Sequence, residues 1–177
     1  MAPSILAAHY GGQDVTTLAN VQFSYGEDLS VSTDELQIQD PWKNVRKSLS
    51  VIYRFDNGQI HGCVIPQDSG RIYTLSDDRR DAESEKITFI PSNYAPPDRR
   101  KVRIHAVIWG LSQVEDKEVY NNLYDKFARN ESIPLTNGFF KKDTWVGIGK
   151  SAVIVYSFHG TLKYISGKEG NSIAFAY

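Results

Sequence analysis

The chain carries one pattern twice, and this repeat constrains the fold more than any single motif. Ile5-Leu-Ala-Ala-His-Tyr10-Gly11 is answered by Ile104-His-Ala-Val-Ile-Trp109-Gly110. Val15 and Val114 follow at the same distance. Downstream, Asp40-Pro-Trp42 matches Asp143-Thr-Trp145, and Lys47-Ser48 matches Lys150-Ser151. Val51-Ile-Tyr53-Arg-Phe55 matches Ile154-Val-Tyr156-Ser-Phe158, and the turn residues Asn57-Gly58 pair with His159-Gly160. The order is kept and the offset is nearly constant, so the chain reads as a first repeat (1–75), a connector (76–103) and a second repeat (104–177). A repeat of roughly 70 residues has a marginal core on its own. The two copies are therefore expected to pack on one another with pseudo-twofold symmetry.

Within each copy the period is mostly that of strands. Leu49, Val51, Tyr53 and Phe55 alternate with polar positions, which predicts a half-buried strand. Asp56-Asn57-Gly58 predicts a hairpin turn leading to a second strand over 59–65. Ser151 to Phe158, His159-Gly160 and Thr161 to Ile165 repeat that hairpin. Ile5 to Tyr10 and Val102 to Trp109 open the copies. Leu29 to Ser32 and Ile133 to Thr136 are short candidate strands, and Arg71 to Leu75 and Ser172 to Tyr177 close them. Many short strands punctuated by Gly, Asn, Asp and Pro predict an all-β fold, a sandwich or barrel-like assembly. One helix is expected, in the second repeat, because Val119, Tyr120, Leu123, Tyr124 and Phe127 recur at helical spacing. Ser112 with Glu115 reads as its capping box. The corresponding stretch of the first copy, 17–25, is ambiguous. In the connector, 76–85 reads as a solvated charged loop, 86–90 as one extra edge strand and 91–98 as an extended Pro-rich link.

The elements Ile5 to Gly11, Asp14-Val-Thr16, Asp40-Pro41, Lys47 to Tyr53 and Gly58 resemble a known module. This is the small β-domain found at the C-terminus of mitochondrial J-domain proteins and appended to some bacterial sugar-active enzymes. The resemblance covers nearly all of the first copy and is looser in the second, where Val114-Glu115 replaces Val-Thr and Thr144 replaces Pro. It implies a binding or scaffold role and names no ligand.

Composition narrows the functional classes. Twenty Lys and Arg against 21 Asp and Glu give a formal net charge of -1, so a basic nucleic-acid footprint is not expected. No apolar run has the length of a membrane helix, so membrane insertion is not expected. Cys63 is the single cysteine, which excludes an internal disulfide. With no signal peptide recognised at Met1 to Tyr10, a cytoplasmic location is expected, with unconventional release left open.

Catalytic chemistry is not legible. His9, His61, His105 and His159 form no HxH or HExxH pair, and His9 and His105 fall at non-equivalent repeat positions. Cys63 lies in a predicted core strand. Gly147-Ile-Gly149-Lys150-Ser151 resembles a phosphate loop but lacks its first glycine and precedes a strand. The expectation is a non-enzyme without cofactor or metal.

The repeated Asp-x-Trp pairs are the best ligand candidates. A Trp face stacks on the C–H face of a sugar while a carboxylate accepts from its hydroxyls. Asp40, Trp42 and Lys47, with Asp143, Trp145 and Lys150, are thus expected to form two equivalent, solvent-open sites of a lectin-like protein. The same residues would recur if both copies needed the same loop packing, and Tyr10 and Trp109 read as core. The partners expected are glycans or another protein, and a homodimer is compatible. A protein-interaction scaffold is the alternative function, and a membrane-active toxin the third.

Overall fold

The structure, a computed structural model, describes residues 4–24, 36, 38–54, 60–67, 85–87 and 102–177. The predicted strands at 29–32 and 71–75, the turn at 56–58, most of the charged stretch and the Pro-rich link lie outside the described residues.

The first unit runs β1 (Ser4–Tyr10), β2 (Gln13–Asp14), α1 (Thr16–Ser24), β3 (Ser48–Arg54) and β4 (Ile60–Pro66). A short β5 (Glu85–Ile87) adds to β4 as an edge strand, where an extra strand was expected in the connector. The second unit runs β6 (Val102–Trp109), β7 (Ser112–Gln113), α2 (Lys117–Arg129), β8 (Ile133–Pro134), α3 (Asn137–Phe140), β9 (Ser151–Phe158), β10 (Thr161–Lys168) and β11 (Ser172–Ile173). The protein is mainly β, with antiparallel sheets ordered β2-β1-β3-β4-β5 and β10-β9-β6-β7, and a small β11-β8 ladder. Both units open with strand, short strand and helix, then close with a hairpin.

The pairing also matches in detail. Ile5 pairs Tyr53 and Ala7 pairs Ile52, with a register shift between them. Ile104 pairs Tyr156 and Ala106 pairs Val155, with the shift at the same place. Such a bulge frees backbone groups from the ladder. In each unit a helix side chain takes one up: Asn20 of α1 donates to the Ile5 carbonyl at 3.1 Å. The Ile104 N–H donates to the Tyr124 hydroxyl of α2 at 2.9 Å.

Four layers result, helix, sheet, sheet and helix. The two sheets face each other across Ala7, Ile52, Val64, Ala106, Ile108, Val153 and Val155. On its outer face the first sheet packs Ile5, Ala8, Leu49, Val51 and Ile65 against Ala19 of α1. The second sheet packs Ile104, Val107, Ile154 and Tyr156 against Val119, Tyr120 and Leu123 of α2.

These layers correct three expectations. β3 is not half-buried: Ser48 to Tyr53 is buried throughout, because helix and opposing sheet cover its two faces. The helix is not confined to the second copy, since α1 occupies the ambiguous stretch of the first; packing against the sheet overrides its weak amphipathic pattern. The α2 N-cap is Asp116, whose carboxylate accepts from the Glu118 N–H at 2.8 Å, while Ser112 belongs to β7. Asn130 ends α2 with φ 53°, and His159-Gly160 turns the hairpin with φ 50° and 82°, as that dipeptide predicts. Tyr10 and Trp109 are both fully buried, Trp109 stacking on Phe140 and donating from Nε1 to Asn137.

Candidate functional site

The Asp-x-Trp segments leave their sheets as loops that enter β3 and β9, and the two loops share one hydrogen-bond scheme. Asp40 Oδ1 accepts from the Trp42 N–H at 2.8 Å, and Asp143 Oδ1 from the Trp145 N–H at 3.1 Å. These are Asx turns. Val45 and Ile148 donate back to the Trp42 and Trp145 carbonyls at 3.2 and 3.0 Å. Asn44 and Gly147 follow the same left-handed bend, with φ 59° and 74°.

Lys47 and Lys150 lie under these loops, with side chains only 2% and 3% exposed. Lys47 Nζ meets Asp40 Oδ1 at 2.9 Å and the Val45 carbonyl at 2.7 Å. Lys150 Nζ meets Asp143 Oδ1 at 3.0 Å, the Ile148 carbonyl at 2.9 Å and Glu169 Oε2 at 3.5 Å. The lysine hydrogen bond holds each aspartate below the usual carboxylate range. The stems pass beneath Gly11 and Gly110, both at positive φ. A Cβ at Gly11 would lie 2.9 Å from Lys47 Cδ, so the glycine in Tyr-Gly and Trp-Gly serves both backbone and lysine. Of the six predicted site residues, the structure thus brings Asp40 to Lys47 and Asp143 to Lys150. Each pair locks its own loop.

The tryptophans point across the seam between the units. Both are half-buried. Trp42 covers Gly149 of the second loop so closely that a Cβ there would lie 2.7 Å from the ring. Arg46 of the first loop lies over Trp145, its Cζ 5.6 Å from the ring centroid. Lys168 donates to the Pro41 carbonyl and sits 6.0 Å from the Trp42 centroid. Ser48 Oγ donates to the Gly110 carbonyl at 3.0 Å, and Ser166 Oγ to the Gly12 carbonyl at 3.2 Å. The two loops are therefore neighbours in one seam rather than separate platforms.

Beside the first loop lies an open depression of about 300 Å³, lined by Asp40, Asn44, Val45, Arg46, Lys47 and Gln67. Gln67 closes it from the end of β4: its Oε1 accepts from the Lys47 N–H at 3.0 Å and its carbonyl from Arg46 Nε at 3.1 Å. The Asn44 amide, the terminal guanidinium nitrogens of Arg46, Gln67 Nε2 and Asp40 Oδ2 are not used by these bonds. Trp42 is not among the lining residues. Sequence reasoning missed Asn44, Arg46 and Gln67. Asn44 shares a turn position with Gly147, a signal for backbone shape. Arg46 and Gln67 differ from Gly149 and Glu169, so a search for repeated residues passes over them.

The second loop is chemically different at these positions. Gly147 and Gly149 carry no side chain, and Glu169 adds a second carboxylate to Lys150.

Other reactive side chains are withdrawn. Burial pushes the Cys63 thiol up to about 12, far from a nucleophilic thiolate. Burial, with Arg103 nearby, lowers His105 to about 4, and its Nε2 is 2.9 Å from Ser157 Oγ. His9 is 5% exposed, with neither ring nitrogen hydrogen-bonded. Among the described residues no group of three His, Cys, Asp or Glu could hold a metal ion, and no helix is long and apolar enough to cross a membrane. The chain matches no family model, no curated protein and no solved structure with which it was compared.

Proposed function

We propose that the protein is a non-enzymatic, lectin-like binding protein that takes a hydroxylated, sugar-like ligand at the first loop. The observation that carries this reading is the depression of about 300 Å³ with its mixed polar lining. Hydroxyl groups donate and accept at once, and this lining offers both: an Asp40 oxygen to accept, Arg46 and Gln67 nitrogens to donate, and the Asn44 amide for either. The bond from the buried Lys47 to the partly exposed Asp40 fixes the loop, so little ordering is needed when a ligand enters. Val45 supplies a small apolar surface.

In this reading the two units are copies of one binding module related by a pseudo-twofold axis, as the matched registers and loop schemes support. The second copy serves as partner to the first: Trp145 underlies Arg46, and Gly149 receives Trp42. A lone site of this size binds weakly, since few contacts offset the loss of ligand freedom.

A glycan array with the purified protein tests the reading. Binding to at least one glycan class is expected, lost in Asn44→Gly, which removes the amide but keeps the left-handed bend and so the thermal stability. A flat array at densities that favour multivalent capture rejects it.

A further inference from the structure

Among the described residues, the charge of the first loop is unbalanced. Among the described residues of this loop, Lys43, Arg46 and Lys47 stand beside one carboxylate, that of Asp40. Lys47 is used inside the loop, bonded to Asp40 and to the Val45 carbonyl. Arg46 is not consumed in this way. Its side chain is exposed, its Nε is tied to the Gln67 carbonyl at 3.1 Å, and its guanidinium plane is backed by Trp145 at 5.6 Å. Two anchors therefore hold the group at the rim of the depression, leaving the terminal nitrogens to face a ligand. A guanidinium fixed in this way recognises a planar carboxylate through two parallel hydrogen bonds, and lysine cannot reproduce that fork.

Resting on the lectin-like reading, we infer that the ligand is an acidic sugar, one whose ring hydroxyls meet Asp40, Asn44 and Gln67 while its carboxylate is held by Arg46. The site is single. At the matching place in the second unit Gly149 stands for Arg46 and Glu169 for Gln67, so that loop has no guanidinium to hold a carboxylate and carries a second carboxylate of its own. Trp145 acts through Arg46 as a positioning residue.

Titration calorimetry of the full chain with glucuronate, its methyl ester and glucose tests this. Glucuronate is expected to bind with one site per chain and about five-fold more tightly than either neutral sugar, the scale of one partly exposed charge pair. Arg46→Gln and Arg46→Lys should both remove the preference, so that the acid and its methyl ester bind alike, whatever becomes of the affinity for glucose. Trp145→Leu should reduce the ratio of glucuronate to methyl-ester affinity. Equal affinity of the wild-type chain for acid and ester overturns the acidic class and leaves the sugar reading standing. Acetate binding as tightly as glucuronate overturns it too, as a plain anion site. Binding of none of the three sugars at millimolar concentration overturns the sugar reading and this inference together. The ester comparison uses only the wild-type chain, so a variant that fails to fold does not decide the outcome.

Discussion

At the scale of single residues, burial of polar groups sets the pH response. His9 is enclosed with both ring nitrogens unpaired, and burial lowers its pKa while Asp14 only partly offsets this. His105 is lowered to about 4 by burial and Arg103. A histidine whose pKa is depressed on folding binds its proton in the unfolded chain first. Stability is therefore highest above about pH 6.5 and falls as the pH drops toward the folded values, by up to about 1.4 kcal/mol per pH unit for each group. Urea unfolding between pH 7.5 and 5 should show this decline, and His9→Leu should flatten it. An unchanged slope in that variant would mean that His9 protonates freely in the fold. A second residue-scale prediction concerns Gly11. With φ 54° and a lysine stem 2.9 Å from its would-be Cβ, Gly11→Ala should cost about 1–3 kcal/mol in urea unfolding. Repacking of the Lys47 stem alone would leave only the smaller backbone part.

At the scale of elements, α2 and the central strands are fixed by different means. The helix is stopped and started locally, by Asp116 at its N-cap and by left-handed Asn130 at its end. Asp116→Ala should lower stability by about 0.5–2 kcal/mol, measured by thermal melting at constant pH. β9 is fixed by what lies on its faces. Ile154 points toward α2 and Val153 toward the other sheet, both essentially fully buried. Ile154→Ala should cost about 2–4 kcal/mol through lost transfer energy and the cavity left behind. A loss below about 0.5 kcal/mol would show that the core collapses onto the site. The recurrence of the hairpin located this strand, while the period-2 pattern of β3 predicted a half-buried strand where the structure buries both faces. Alternation with Ser48 and Ser50 signals water in an isolated sheet, whereas here those serines face the seam, where Ser48 is bonded to Gly110.

For the whole molecule, the inter-sheet core makes the units interdependent. Ile52 and Val64 are buried only because Ala106, Val153 and Val155 lie opposite. Each buried aliphatic side chain contributes roughly 1.5–3 kcal/mol, so separating the sheets would forfeit several such contributions from both units at once. The chain should unfold in one transition, with far-ultraviolet dichroism and tryptophan fluorescence coinciding and the calorimetric and van't Hoff enthalpies equal. Two resolved transitions would mean that the units are stable separately. The seam also places the candidate site, since Arg46 of one unit is backed by Trp145 of the other.

The sequence alone determined the mainly β class, β6 and β9 at their observed bounds, the buried Tyr10 and Trp109, and the recurrence of Asp, Trp and Lys before the central hairpins. These are local or periodic signals, written in neighbouring residues and in spacing. The tertiary structure alone decided that α1 exists, that the sheets are covered on both faces, and what the repeated residues touch. Asp40 and Lys47 bond to each other, Trp42 covers Gly149, and the depression is lined by Asn44, Arg46 and Gln67, which the repeat does not share. The physical reason is that burial and polar pairing are settled by partners distant in sequence. A carboxylate next to a tryptophan reads the same whether it awaits a sugar or already holds the lysine seven residues on.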